Sequence, residues 1–281
     1  MQKAKFLQGV FFYGNISATI CKNLIFKFFY LVRKVFLICA KSNTDFKLFK
    51  KKDDKKNNGQ NFSLSDKSKF AIVESYKAAR TNIMFSLSAK EKKCFAVTSY
   101  SKGEGKSTVS ANLAISFSKM EKRVLLIDCD LRRPNVHNIF KLDNKKGLTN
   151  VIGKMIEIDE AVKHDVLPNL DILPAGTVAP NPSELMCSTR FQELYEQFVR
   201  DYDYVIFDTP PIGVVADALL LKDMIAGFIV VVRERSTTHG DLQHLLDSVK
   251  LADSTVLGLI EVGCTYDSKR RKKGYYYYQY Y

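Results

Sequence analysis

The chain has 281 residues, 46% of them apolar and 26% charged, with 14 Gly and 7 Pro. That is enough for one large α/β domain or two small ones, and it excludes a chain that is disordered or fibrous throughout. The formal net charge of +13 invites a nucleic-acid reading, but it is unevenly placed. Residues 1–61 hold 13 Lys/Arg against 3 Asp/Glu, residues 267–273 hold 5 against 1, and residues 62–266 hold 25 against 26. A balanced body with two basic flanks argues against a nucleic-acid-binding fold and for a tail or a membrane-surface contact. The six cysteines (Cys21, Cys39, Cys94, Cys129, Cys187, Cys264) have no metal-ligand spacing and read as reduced cytosolic thiols.

In chain order, residues 6–40 come first, rich in Phe, Ile, Leu and Val. Lys22, Lys27, Arg33 and Lys34 break the roughly 20-residue apolar window that a spanning helix needs. A basic, aromatic helix lying on a membrane surface fits better, and an extension without a role of its own stays open beside it. Residues 41–61 read as a polar linker. From residue 66 the pattern alternates: helices over 66–88, 107–120, 188–201 and 240–252, strands over 94–99, 124–128, 170–173, 204–208, 228–232 and 256–260. Continuous apolar strands between helices predict an α/β fold of the P-loop NTPase type, a mostly parallel sheet with helices on both faces. The expected organisation is an extension and linker at 1–61, one folded domain at 62–265, and a flexible tail at 266–281.

The strand at 94–99 runs into Ser-Tyr-Ser-Lys-Gly-Glu-Gly-Lys-Ser-Thr at 99–108. Gly103, Glu104, Gly105, Lys106, Ser107 and Thr108 form the candidate nucleotide cradle. The glycines let backbone N–H groups point inward, and the helix that follows adds positive partial charge. Lys106 suits the β- and γ-phosphates, and the Ser107 hydroxyl suits Mg²⁺. Tyr100 stands where the usual pattern has its first Gly, so this is a variant loop. The next strand ends in Asp128-Cys-Asp130, and the strand at 204–208 ends in Asp208-Thr-Pro-Pro. Parallel sheets bind ligands at the C-terminal ends of their strands. Carboxylates there can order the water shell of Mg²⁺ and accept a proton from an attacking hydroxyl. Nucleoside triphosphate binding follows from the three strand ends together.

A P-loop, a D-x-D motif and a D-T-P-P motif in this order resemble the bacterial tyrosine kinases, in particular the capsule-type CpsD/CapB group of Gram-positive bacteria. Three further segments carry the resemblance: the helix with Glu74, Lys77 and Arg80, the stretch Pro180-Asn-Pro-Ser-Glu-Leu185, and six tyrosines among residues 275–281. The resemblance implies ATP and Mg²⁺ as ligands, catalysis by Lys106, Asp128, Asp130 and Asp208, and a metal shell of Ser107, Asp130 and Asp208. Asp128 is then the candidate that orients or deprotonates the tyrosine hydroxyl. It also implies phosphorylation at Tyr275, Tyr276, Tyr277, Tyr278, Tyr280 and Tyr281 by a neighbouring subunit in a homo-oligomeric ring contacted through Glu74, Lys77 and Arg80. The implied partners are a membrane-anchored activator and a cognate tyrosine phosphatase. The implied place is the cytoplasmic face of the membrane, and the implied role is control of capsule or exopolysaccharide assembly.

Lys77 stands where the family has Arg, and Ile260-Glu-Val262 where it has an Asn-bearing segment that meets the purine. Two other readings compete. One is a partition- or division-type P-loop ATPase without kinase activity, which would lack a tyrosine tail. The other is a nucleotide-binding adaptor, against which the intact Lys106 and three strand-end carboxylates stand. His137, His164, His239 and His244 suggest no site, and Arg132 and Arg133 suit either a phosphate or a loop carboxylate.

Overall fold

The computed structural model describes residues 36–39 and 70–263. Its elements in order are β1 (Phe36–Cys39), α1 (Phe70–Ser88), β2 (Cys94–Ser99), α2 (Lys106–Ser118), β3 (Val124–Asp128), α3 (Val136–Phe140), α4 (Leu148–Ile152) and α5 (Ile158–Ala161). There follow β4 (Lys163–Leu167), β5 (Leu170–Leu173), α6 (Pro182–Met186), α7 (Thr189–Asp201), β6 (Tyr204–Asp208), a 3-10 turn (Ala216–Leu221), β7 (Phe228–Arg233), α8 (His239–Leu251) and β8 (Val256–Val262). The strands form one sheet in the order β1-β8-β7-β2-β6-β3-β5-β4. All its pairings are parallel except that of β4 with β5. Every residue of β2, β3 and β6 is buried, as a parallel sheet covered on both faces requires.

The α/β expectation is met. The strands expected at 94–99, 124–128, 170–173 and 204–208 form at those bounds, and the last two run on to Arg233 and Val262. Two strands come as additions. β4 pairs with β5 through Pro168-Asn169, and Asn169 takes the left-handed turn conformation (φ 62°). Lys163, His164 and Asp165 make β4 polar and partly exposed, so hydropathy hides it. The other addition is β1, which pairs in parallel with β8 from Phe36↔Gly258 to Cys39↔Glu261. At these four residues an extended edge strand replaces the surface helix expected over 6–40. The run Phe-Leu-Ile-Cys suits a strand, and the sheet begins inside the segment read as extension. The rest of that segment, the linker and the tail at 266–281 lie outside the described residues.

Helix α2 carries the P-loop and is buried from Val109 to Ser118. It packs against β2, β3 and β6 on one side and α1 on the other. Two of its polar residues bond to α1: Ser116 donates to the Tyr76 carbonyl at 3.4 Å, and Asn112 Nδ2 donates to the Tyr76 hydroxyl at 3.3 Å. Burial pushes the Tyr76 phenol up to about 12, against the Asn112 hydrogen bond. Phe117 lies between Phe95 and Tyr204, with ring centroids 5.8 and 4.6 Å away. Removing that ring would cost about 3–5 kcal/mol, so the helix behind the P-loop is a rigid base.

Candidate active site

β2, β6 and β3 are neighbours, and their C-terminal ends deliver the P-loop, Asp208 and Asp128 to one edge. Asp128 is level with Asp208, and Asp208 with Val97. In the P-loop, Gly103 (φ 77°) and Gly105 (φ 95°) adopt the left-handed conformation open to glycine, which lets the loop wrap. Gly105 caps α2, and its carbonyl accepts the first helical bond, from Val109 N–H at 2.9 Å. Tyr100 fits the loop because of a distant residue. Its carbonyl accepts from Gly213 N–H at 3.1 Å, and a Cβ at 213 would come within 2.7 Å of its ring. A glycine just past the Asp-Thr-Pro-Pro segment thus makes room for a side chain where glycine is usual.

The charged groups are not equivalent. Lys106, its side chain 12% exposed, donates to Asp130 Oδ2 at 3.0 Å. Asp208 is fully buried. Its Oδ1 accepts from the Ser110 hydroxyl at 2.9 Å, and its Oδ2 has no hydrogen-bond partner among the described residues. Burial pushes its carboxyl up to about 6, while Lys106 and the Ser107 and Ser110 hydroxyls hold it from rising further. Asp128 is buried behind the cleft wall. It accepts backbone N–H bonds from Asp130 at 3.2 Å, Asn135 at 2.9 Å and Val136 at 3.0 Å, which fold the segment after β3 around it. Burial, and next the Asp208 carboxylate, drive the Asp128 carboxyl well above the usual range against these bonds. No cluster of three His, Cys, Asp or Glu side chains among the described residues forms a metal cage. The orphaned Asp208 oxygen beside Ser107 fits instead the sparse carboxylate-and-hydroxyl shell that Mg²⁺ takes when phosphates and water supply the rest.

Lys106, Ser107 and Asp130 border a cleft of about 790 Å³. Gly103, Gly105, Lys106, Ser107, Thr108 and Asp130 line it on the P-loop side, and Arg233, Glu234, Val262 and Gly263 line the adjoining wall. Asp128, Asp208 and Glu104 do not line it. Glu104 is 1% exposed and points to Ser101 N–H and the Thr237 hydroxyl, so its side chain supports the loop rather than facing a nucleotide. Where the family's Asn-bearing segment would lie, β8 continues through Val262, which presents an apolar wall.

Arg132 settles on a loop carboxylate. It donates to Asp217 Oδ2 at 2.7 Å and Oδ1 at 3.3 Å, and to Ser183 Oγ at 3.3 Å, while Ser183 donates to Asp217 Oδ1 at 2.8 Å. Burial pushes the Asp217 carboxyl up, but the Arg132 and Ser183 hydrogen bonds outweigh it and leave it below the usual range. The Pro-Asn-Pro-Ser segment is thereby tied to the segment following β3. Asp217 carried no signal in the sequence, because it matters only as a partner of Arg132, and Ser183 stood out only as part of the Pro-Asn-Pro-Ser stretch. The triad on α1 divides. Lys77 and Glu74 form an exposed pair at 2.8 Å, whereas Arg80 turns inward and donates to the Ser116 carbonyl at 2.6 Å. Burial lowers the Arg80 value, against the Glu74 charge.

The sequence profile of a family described as an AAA domain matches residues 92–259. The tyrosine-protein kinase YwqD of Bacillus subtilis is 41% identical over 203 residues, covering 72% of this chain and 85% of its own. The chain belongs to the bacterial tyrosine-protein kinases. The kinase domain of the Escherichia coli tyrosine kinase ETK superposes with a TM-score of 0.77 at 26% identity, over 89% of this chain and 97% of that one. The chimerical protein CapA2B2 superposes with a TM-score of 0.74 at 25% identity, over 86% and 99%. A tyrosine kinase therefore occupies this P-loop fold, and the reading as a partition- or division-type ATPase is not favoured. Among the described residues no helix is long and apolar enough to cross a membrane.

Proposed function

We propose that this kinase uses Mg²⁺·ATP to phosphorylate the tyrosines at 275–281 of a neighbouring copy. The observation that carries this reading is the buried Asp208 oxygen without a partner, set beside Lys106 and Ser107 at the start of α2. Ser107, Asp130 and Asp208 would hold Mg²⁺, which when bound would neutralise charge on the phosphoryl oxygens. The other roles fall to the chain's own groups. The backbone N–H groups of 103–108 cradle the phosphates, and Thr108 meets a phosphate nearer the nucleoside. Lys106 leaves Asp130 for the β- and γ-phosphates, a short swing for a side chain already at the cleft. Asp128 would orient the tyrosine hydroxyl or take its proton once the segment after β3, whose backbone N–H groups occupy both its oxygens, opens to the cleft. Burial, and next the Asp208 carboxylate, raise its carboxyl and make it a stronger proton acceptor than a free carboxylate.

The tail suits the role of substrate. Six tyrosines fall within the seven residues 275–281, and the basic run SKRRKK lies just before them. Each phosphate adds about −1.5 to −2 charge, so a fully modified tail would reverse the charge of its basic stem and drive subunits apart. A ring contacted through the Glu74–Lys77 face of α1, a membrane-anchored activator, a cognate tyrosine phosphatase and a place at the inner membrane face complete the reading. The activator proposal draws on the likeness to the CapA2B2 chimera. The process governed would be capsule or exopolysaccharide assembly.

A mixing experiment tests the transfer between copies. A Lys106→Met chain with its tail is incubated with an active chain whose six tail tyrosines are replaced by Phe, together with Mg²⁺·ATP and an activator fragment. Phosphotyrosine on the Lys106→Met chain is expected. Its absence, with the wild-type chain modified under the same conditions, would mean that transfer occurs within one copy.

A further inference from the structure

Residues 233–238 join β7 to α8, and Arg233 and Glu234 among them line the cleft. They touch the P-loop at two points. The Arg233 guanidinium donates to the Gly103 carbonyl at 2.9 Å, and the Thr237 hydroxyl donates to Glu104 Oε1. The other Glu104 oxygen, Oε2, accepts from Ser101 N–H at 2.8 Å. Thr237 Oγ1 in turn accepts from Arg233 N–H at 2.8 Å, so the one hydroxyl both donates and accepts. Glu234 N–H donates to the Val262 carbonyl at 2.8 Å and extends the chain of bonds to the end of β8. A buried carboxylate is costly unless hydrogen-bonded, and here each of its oxygens bridges to a different segment.

We propose that Glu104 and Thr237 are positioning residues that clasp the P-loop to residues 233–238, so that the phosphate cradle and the cleft wall at Arg233 and Glu234 are held as one unit. Neither side chain touches the phosphates. Glu104 acts through Ser101 and the loop backbone, and Thr237 acts through Glu104 and Arg233. With the clasp broken, the P-loop and the adjoining wall move independently, and a nucleotide must order them on binding. The loss therefore falls on nucleotide affinity, while Lys106, Asp130 and Asp208 keep their places and the rate at saturation is kept.

The inference rests on the nucleotide cleft and not on which tyrosine is phosphorylated, so its first readout is binding of a fluorescent ADP analogue to the full chain. Thr237→Val, which keeps the shape and removes the hydroxyl, is expected to weaken that binding and raise the KM for ATP about tenfold, with kcat within about twofold. Thr237→Ser, which restores the hydroxyl, is expected to recover wild-type binding. Glu104→Gln is expected to weaken binding less than Thr237→Val, and the double variant to be no worse than the poorer single one. Wild-type affinity in Thr237→Val would overturn the clasp. So would full additivity in the double variant, or a loss in Thr237→Val that Thr237→Ser does not recover.

Discussion

At the phosphate end of the cleft, each group of consequence stands on a regular element or within a residue or two of one. Lys106, Ser107 and Thr108 open α2, Asp208 closes β6, and Asp130 follows β3 by two residues. On the neighbouring wall, Arg233 closes β7 and Val262 closes β8, level with each other, and Glu234 and Gly263 follow them by one residue. Both parts are therefore set by the sheet register, the first with a buried helix behind it. The second is in addition tied to the P-loop across more than a hundred residues, by Arg233 to Gly103 and Thr237 to Glu104. The first part is held by local elements alone, and the second also by long-range side-chain bonds.

The sharpest way to break this comparison is at Asp208. Asp208→Asn keeps the shape and removes the charge that its partnerless oxygen offers a cation. Phosphotransfer is expected to fall about 10²–10³-fold, measured as phosphotyrosine formed per minute at saturating Mg²⁺·ATP. The same substitution is expected to stabilise the nucleotide-free chain. The Asp208 carboxyl is raised from 3.8 to about 6, so the native state holds a proton that the unfolded chain has released. The stability this contributes is present below about pH 4 and is lost as pH rises through about 6. The expected size is about 2–3 kcal/mol. Melting curves without nucleotide from pH 4.5 to 8 should show the wild type losing stability relative to Asp208→Asn across that window. Parallel curves would mean that Asp208 titrates normally.

Arg132 offers an intermediate test, because it joins the phosphate end to a loop outside the register. Lys cannot reproduce its contacts to both Asp217 oxygens and to Ser183. Arg132→Lys is expected to lower turnover about five- to tenfold, with a change in Tm too small to account for it. Turnover equal to the wild type would reduce the network to a surface contact. The smallest effect is expected on α1. Glu74→Gln should change stability by less than about 0.5 kcal/mol by chemical denaturation, since the pair with Lys77 is exposed. Arg80→Ala should cost about 1–2 kcal/mol, because its guanidinium caps a carbonyl in the core helix.

The same division explains what the sequence could tell. Strands whose residues are all buried read directly as apolar runs, and Gly103, Gly105, Lys106 and the closing aspartates read as a phosphate site because their spacing is local. The long-range partners carry no local pattern. Gly213 matters because Tyr100 lies on it, Thr237 because Glu104 reaches it, and Asp217 because Arg132 does. β4 hides behind its polar face, and at β1 four residues pair with a strand more than two hundred positions away. Glu104 shows what a motif leaves out. It stands inside the P-loop motif as part of the nucleotide cradle, and the structure adds that its side chain is turned into the protein and holds the loop from behind.

The central claim is that the groups gathered at the ends of β2, β3 and β6 transfer a phosphoryl group to tyrosine. It is tested most directly by incubating the full chain with Mg²⁺·ATP and an activator fragment and mapping phosphotyrosine by mass spectrometry, with Lys106→Met as the control. The account predicts phosphate on tyrosines within residues 275–281 of the wild type and none on the variant. ATP hydrolysis without phosphotyrosine on any residue would contradict it.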